Sequence, residues 1–298
     1  MAGVQAAVTE RPRVAAPRRF PWVQVLIVPT LLFLLVFFAV PYLNMVRMSF
    51  LLKPAEGPYL PQFTLANYAR ALFDPFNWKI LRNTFWYSIL TTVITLVLGY
   101  PIAYHLTQAT PKRKRWLLVL IISPLLVSVV VRGFAWLILL GRVGLVNQFM
   151  QWAAGTELIL IGTPEGIVVG LVHVFIPFMA LSIAGSLQNI SPDVVQAARS
   201  LGAGPWQRFW RVIWPLSLPG VLAGSVLVFV LAVSSYVIPI MLGASNVLVM
   251  PMLIVQTLLD TFNWPLGSAL SMIFFGLTAT ILAVYLKLMG RSMRWTAP

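Results

Sequence analysis

With 59% hydrophobic and only 9% charged residues, this 298-residue chain has too few polar groups to cover a soluble globule. The absence of cysteine removes disulfide frameworks, thiolate metal sites and thiol nucleophiles. A net charge of +14 would suit nucleic acid or anionic lipid, so the placement of the charges has to decide, and they gather at the ends of apolar runs.

A helix needs about 20 mostly apolar residues to cross a hydrocarbon core of roughly 30 Å. Residues 1–21 read as a basic tail with Arg11, Arg13, Arg18 and Arg19, followed by a first span over 22–43. Arg18-Arg19-Phe20 loosely matches a twin-arginine export signal. The apolar run, however, has the length of a span and meets Pro41-Tyr42-Leu43-Asn44 instead of a small-x-small cleavage site, which predicts an uncleaved anchor. An extracytoplasmic segment is expected over 44–83, then a core of five spans over 84–289: 84–106, 116–140, 163–186, 218–242 and 267–289. The apolar stretch 250–259 is too short to cross and predicts an interfacial or re-entrant helix, and residues 290–298 form a closing tail. Pro29, Pro101, Pro124, Pro177 and Pro239 place one proline in each of the first five spans, either as kinks in a moving pathway or as ordinary features of membrane helices.

Lys and Arg accumulate on cytoplasmic flanks. The tail arginines, Lys112 to Arg115, Arg199, Arg208, Arg211, Lys287, Arg291 and Arg294 all fall on one side; the other carries Arg47, Lys53, Arg70, Lys79, Arg82 and Arg142, but also five of the seven acids, Glu56, Asp74, Glu157, Glu165 and Asp260. Both termini are therefore predicted cytoplasmic, and the fold class is an all-α integral membrane protein with six transmembrane helices.

The loop 187–217 between the fourth and fifth spans has its own organisation. Ser191-Pro192-Asp193 supplies a capping hydroxyl, a proline at the first helical position and an acid at the positive end of the dipole, and Gly202 supplies the stop. Val194, Ala197, Ala198 and Leu201 form one apolar stripe, and after a turn at 202–205 Trp206, Phe209, Trp210 and Ile213 repeat the spacing with bulk. A pair of interfacial helices would produce the same pattern. A DNA-reading helix-turn-helix would not, because the three arginines here are too few and too scattered to track phosphates.

Gln196-Ala197-Ala198, Gly202 and Val212-Ile213-Trp214-Pro215 resemble the cytoplasmic signature of permease subunits of type I ATP-binding-cassette importers, with the spacing intact. Gln196 stands where that family usually has Glu, and Trp214 where it usually has Leu. Phe63-Thr64-Leu65-Ala66-Asn67-Tyr68, Asn83-Thr84, Gly99-Tyr100-Pro101, Val131-Arg132-Gly133-Phe134-Ala135-Trp136, His173-Val174-Phe175-Ile176-Pro177-Phe178 and Asn263-Trp264-Pro265-Leu266-Gly267 are similar to blocks of the spermidine/putrescine importer group. The resemblance implies a type I importer permease fold. Gln196, Ala197, Ala198, Gly202 and Pro215 would then couple to an ATPase. It also implies the partners: a second permease subunit, preferably a different one; two ATPase subunits; and an extracytoplasmic substrate-binding protein, all working in the inner membrane.

The chain has no phosphate-binding Gly-x-x-x-x-Gly-Lys-Ser/Thr loop, so no cofactor is expected in it, and ATP and Mg belong to the partner ATPase. Nucleic acid is not an expected partner, and lipid is. Arg132 and His173 lie within spans, where an Arg costs about 2.5 to 3.5 kcal/mol to place at the centre. Both, with Tyr236, are candidates for a translocation path. The structural alternative has Arg132 snorkelling or bonding helix carbonyls, and His173 bonding as a neutral ring to another helix. A secondary transporter would need coupling carboxylates at membrane depth, an enzyme would need a catalytic cluster, and neither pattern is present. A membrane scaffold is compatible with composition alone. Polyamine is the first substrate expectation, with phosphonate, iron chelate and amino-acid or opine-like solutes as alternatives.

Overall fold

The computed structural model describes residues 22–54, 57, 59–244 and 246–293. The tail 1–21 with its four arginines, Glu56 and Arg294 lie outside the described residues. The chain divides into two compact units, residues 1–45 and 46–298.

In the first unit, α1 (Trp22–Leu34) passes through a π turn (Leu35–Ala39) into α2 (Val40–Ser49). The helix outlasts the expected end at 43 because Pro41 does not stop it. The π turn just upstream widens the hydrogen-bonded ring and accommodates a residue that has no N–H to give.

In the second unit, Leu51–Leu52 (β1) pairs antiparallel with Leu60–Phe63 (β2), a small strand pair that helix periodicity did not announce. Asn67 explains the polar block beside it. From α3 (Ala66–Phe73), its Nδ2 donates to the carbonyls of Ser49 and Leu51 at 3.0 and 2.8 Å, and Phe50 stacks on Phe63 with centroids 5.0 Å apart. Asp74 then caps α4 (Pro75–Gln108) by accepting from the Phe76 N–H, with Pro75 at the first helical position. At 34 residues α4 is about 51 Å long, well beyond the hydrocarbon thickness, which is why it starts before the expected 84.

The third span, expected as one helix over 116–140, is broken. α5 (Pro111–Ile122) gives way to a 3-10 turn (Ser123–Leu126), and α6 (Val129–Leu140) starts afresh with Ser128 as its cap. Pro124 has no N–H for the Leu120 carbonyl, and the Ser123 hydroxyl donates to that carbonyl instead at 3.3 Å. α7 (Leu145–Ala154) follows, so the apolar stretch long enough to cross is Val129–Ala154. α8 (Pro164–Gln188) is capped by Thr163, and α9 (Pro192–Ser200) leads to α10 (Pro205–Arg208), a second π turn (Phe209–Ile213) and α11 (Trp214–Val233). The bulky half of the loop is therefore continuous with the fifth span, and the crossing stretch runs from Pro205 to Val233. Pro215 follows its π turn at the same distance as Pro41 follows the first.

The fifth span also ends early. Ser234 Oγ donates back to the carbonyls of Val230 and Leu231, and Pro239 has no N–H to offer Ser235, so α12 (Val237–Leu242) is a separate piece. α13 (Met250–Val255) and a third π turn (Gln256–Asp260) make one short helix, and α14 (Trp264–Met293) supplies the last span. Among the described residues, six stretches are long and apolar enough to cross a membrane, and the helix over 250–260 is not.

α8 is the centre, packed between α4 and α11, with Leu171, Met179, Ile183, Val228 and Ile238 almost completely buried. Close approach depends on small residues, as is usual between membrane helices. A Cβ at Gly99 would lie 3.1 Å from the Met179 side chain, and one at Gly220 would lie 2.8 Å from the Ser182 carbonyl. Tyr100 reaches across to share a hydrogen bond with the Ser217 hydroxyl at 2.9 Å. A second, smaller cluster joins Ile80 and Leu81 to Met250 and Leu270. There the Thr84 hydroxyl accepts from the buried Met250 N–H at 2.8 Å, which ties the short helix to α4.

Candidate functional site

Two places hold the residues singled out by sequence. The first is the loop between the fourth and fifth spans. Ser191 accepts from the Asp193 N–H at 3.3 Å, so α9 begins at the expected cap. It ends with Gly202 at φ +81°, the left-handed conformation that glycine reaches without strain, while the Ala203 N–H bonds the Ala198 carbonyl and the Gly202 N–H bonds the Arg199 carbonyl. This closure points the stripe away from the rest of the chain: Leu201 is 88% exposed, Val194 and Ala197 are exposed and Ala198 is half-buried. Nothing lies within 4 Å of where a Cβ at Gly202 would sit. An apolar face with two alanines at its middle can therefore admit a partner at close range.

Gln196 sits differently. It is exposed, but it also lines a polar groove of about 540 Å³ shared with Gln188, Arg199 and Arg208. The Arg208 Nε there is buried without an acceptor among the described residues. Pro215 is not on the exposed stripe at all. It is half-buried in the first turn of α11, where it marks the junction between π turn and helix.

The second place is the interior of the third and fourth spans. The Trp136 indole N–H donates to Nδ1 of His173 at 3.1 Å, and the two rings meet edge-on at 5.4 Å. Of the roles left open for His173, a bond to another helix as an acceptor is the one present. Arg132 lies one helical turn before Trp136 on α6. Its Nε and Nη1 are buried and find no acceptor among the described residues. Trp136 therefore touches His173 and lies a turn away from Arg132. Tyr236 is elsewhere, at the break between α11 and α12, half-buried in a pocket with Gln256 and Asp260. Asp260, which the sequence places among the outer acids, carries the further signal of an acid closing a short apolar helix.

Residues 78–295 match the family described as binding-protein-dependent transport system inner membrane component. The chain belongs to this family. It is 34% identical over 264 residues to the spermidine/putrescine transport system permease protein PotB of Salmonella typhimurium (strain SL1344), covering 88% of this chain and 91% of that protein. It is 31% identical over 256 residues to the PotB of Haemophilus influenzae, covering 85% and 89%. Among solved structures, a bacterial ABC transporter involved in import of the acidic polysaccharide alginate superposes with a TM-score of 0.74 at 15% identity, covering 93% of this chain and 97% of that one. That likeness concerns the fold. The chain is a multi-pass permease subunit of an ABC importer.

Proposed function

We propose that this permease subunit carries polyamines, spermidine or putrescine, across the inner membrane in an ATP-driven importer. The observation that carries the substrate class is the 34% identity to a spermidine/putrescine permease over 88% of the chain. The assembly would pair this chain with a second, similar permease, two ATPase subunits that bind ATP and Mg, and an extracytoplasmic receptor. Both termini and the loop 187–217 would face the cytoplasm, in keeping with the basic residues there. The outward stripe of α9 with its left-handed Gly202 supports the coupling role, since it is accessible, apolar and small.

One observation favours a second reading. Arg132, with two buried nitrogens that find no acceptor among the described residues, would suit an anionic solute such as a phosphonate or an iron chelate better than a polycation. A binding screen of the cognate receptor decides between them. Tight binding of spermidine or putrescine is expected, and a receptor that ignores both and takes an anion would overturn the polyamine reading while leaving the permease role intact. Mass measurement of the intact complex tests the pairing, with two copies of this chain per two ATPases as the contrary result.

A further inference from the structure

Between Tyr236, at the end of α11, and the short helix over 250–260 lies a pocket of about 420 Å³, within the usual range for small-ligand sites. Its chemistry is divided. Gln256 and Asp260 are the first and last residues of the third π turn, and π turns are frequent where helices carry function. Met252, Val255 and Leu259 add an aliphatic wall, and Tyr236 contributes an aromatic ring. Asp260 is exposed, and its carboxylate makes no hydrogen bond or ion pair among the described residues. Lys53, the cation tied to this corner, donates instead to the carbonyls of Thr261 and Phe262 at 2.9 and 2.8 Å.

A carboxylate, an aromatic face, an amide and a strip of methylene-sized walls are the complement of one chemical class. An ammonium group is drawn to the carboxylate and to the ring quadrupole, and an alkyl chain lies on Met252, Val255 and Leu259. An anion would meet the Asp260 charge. The place fits as well: α11 is joined through Pro205–Val233 to the loop 187–217 at one end, and Tyr236 follows the other end about 43 Å away. Under the proposed orientation that is the side on which a receptor delivers its load.

We infer that Tyr236, Gln256 and Asp260 form a receiving site for an alkyl amine at the outer mouth of the path, with Asp260 holding one ammonium group. The inference rests on the polyamine reading above. It names residues that carry amine selectivity in the permease itself, separately from the receptor.

The test uses the full complex in proteoliposomes, with labelled putrescine and spermidine presented on saturated receptor. For Asp260→Asn, uptake should fall at least tenfold while assembly and receptor-stimulated ATP hydrolysis stay within twofold of wild type. Asp260→Glu should restore most of the uptake. Wild-type uptake by an assembled Asp260→Asn complex overturns the site. Should that variant fail to assemble, Tyr236→Leu decides: reduced uptake in an intact complex supports the site, and unchanged uptake removes it. A wild-type complex that imports neither amine defeats the polyamine reading, and the site falls with it. Normal wild-type import with an insensitive Asp260 removes the site alone.

Discussion

Gly220→Ala tests whether the approach of α8 and α11 sets the stability of the core. The added Cβ would lie 2.8 Å from the Ser182 carbonyl and 3.1 Å from the Ile183 Cα, and it would crowd the Ser186 Cβ as well. Two of these neighbours are backbone atoms, so no rotamer change relieves them. Restoring ordinary contact at roughly 3.5 Å requires the helices to part by on the order of 1 Å. That separation also stretches the bond in which Ser182 Oγ donates to the Gly220 carbonyl at 3.1 Å. Overpacking of this kind costs about 1 to 3 kcal/mol, and the weakened hydrogen bond adds about 1. The better helix propensity of alanine returns about 1 kcal/mol, leaving a net loss of roughly 1 to 3. Gly185→Ala is the matched control on α8, because nothing lies within 4 Å of its Cβ position and only the propensity gain applies. The assay is thermal denaturation of the purified protein in one detergent for wild type and both variants. Gly220→Ala should melt lower, and Gly185→Ala should melt at or slightly above wild type. Equal melting of the two variants would refute the close-approach reasoning.

In the loop, Gly202→Asp and Ala198→Trp should leave the chain inserted yet abolish transport and weaken ATPase copurification; wild-type copurification and receptor-stimulated hydrolysis in both would reject the coupling assignment. Gly202→Ala separates backbone from bulk, because open space surrounds the position and only the left-handed φ of +81° is penalised, at about 1 to 2 kcal/mol locally. Partial coupling is expected there, against the complete loss in Gly202→Asp. Gln196→Glu should be tolerated and should raise thermal stability by up to about 1 kcal/mol, since it places a carboxylate in the groove that Arg208 lines; a destabilised complex would show that the groove does not act on that position. Thr84→Val leaves the buried Met250 N–H without its acceptor, costing about 1 to 3 kcal/mol, and should speed hydrogen exchange over 250–260 while leaving α8 protected.

The number of spans and the organisation of the loop were readable because both rest on local chemistry. Apolar length decides whether a helix can cross, and Ser191, Pro192 and Gly202 mark α9 through caps and backbone conformation that need no distant contact. The breaks in the third and fifth spans were less readable. Pro124 and Pro239 are visible, but Pro101 and Pro177 lie inside unbroken helices, so proline alone does not say where a span stops. At each break a serine hydroxyl donates to a carbonyl of the preceding turn, Ser123 to Leu120 in one case and Ser234 to Val230 in the other. The contact of Trp136 with His173 links residues 37 positions apart, and the pocket around Tyr236 joins elements separated by a turn. Periodicity carries no record of either. The strand pair of β1 and β2 was missed for a similar reason, since two short segments have no pattern long enough to detect.

The uninterrupted course from Pro205 to Val233 makes this part of the molecule a lever. One arm begins beside α9, where force from outside the chain can be applied, and the other ends at Ser234, where the helix is cut. A rigid rod of about 43 Å does not dissipate a displacement along its length. A tilt of a few degrees at the Pro205 end becomes a sideways stroke of roughly 2 to 4 Å at the far tip, comparable to the width of an alkyl chain. The π turn at Phe209–Ile213 and Pro219 are the places along the rod where regular α-helical hydrogen bonding is interrupted. Motion would reach Tyr236 just beyond the cut, whose half-buried ring packs on the core, while α12 stays packed on α8.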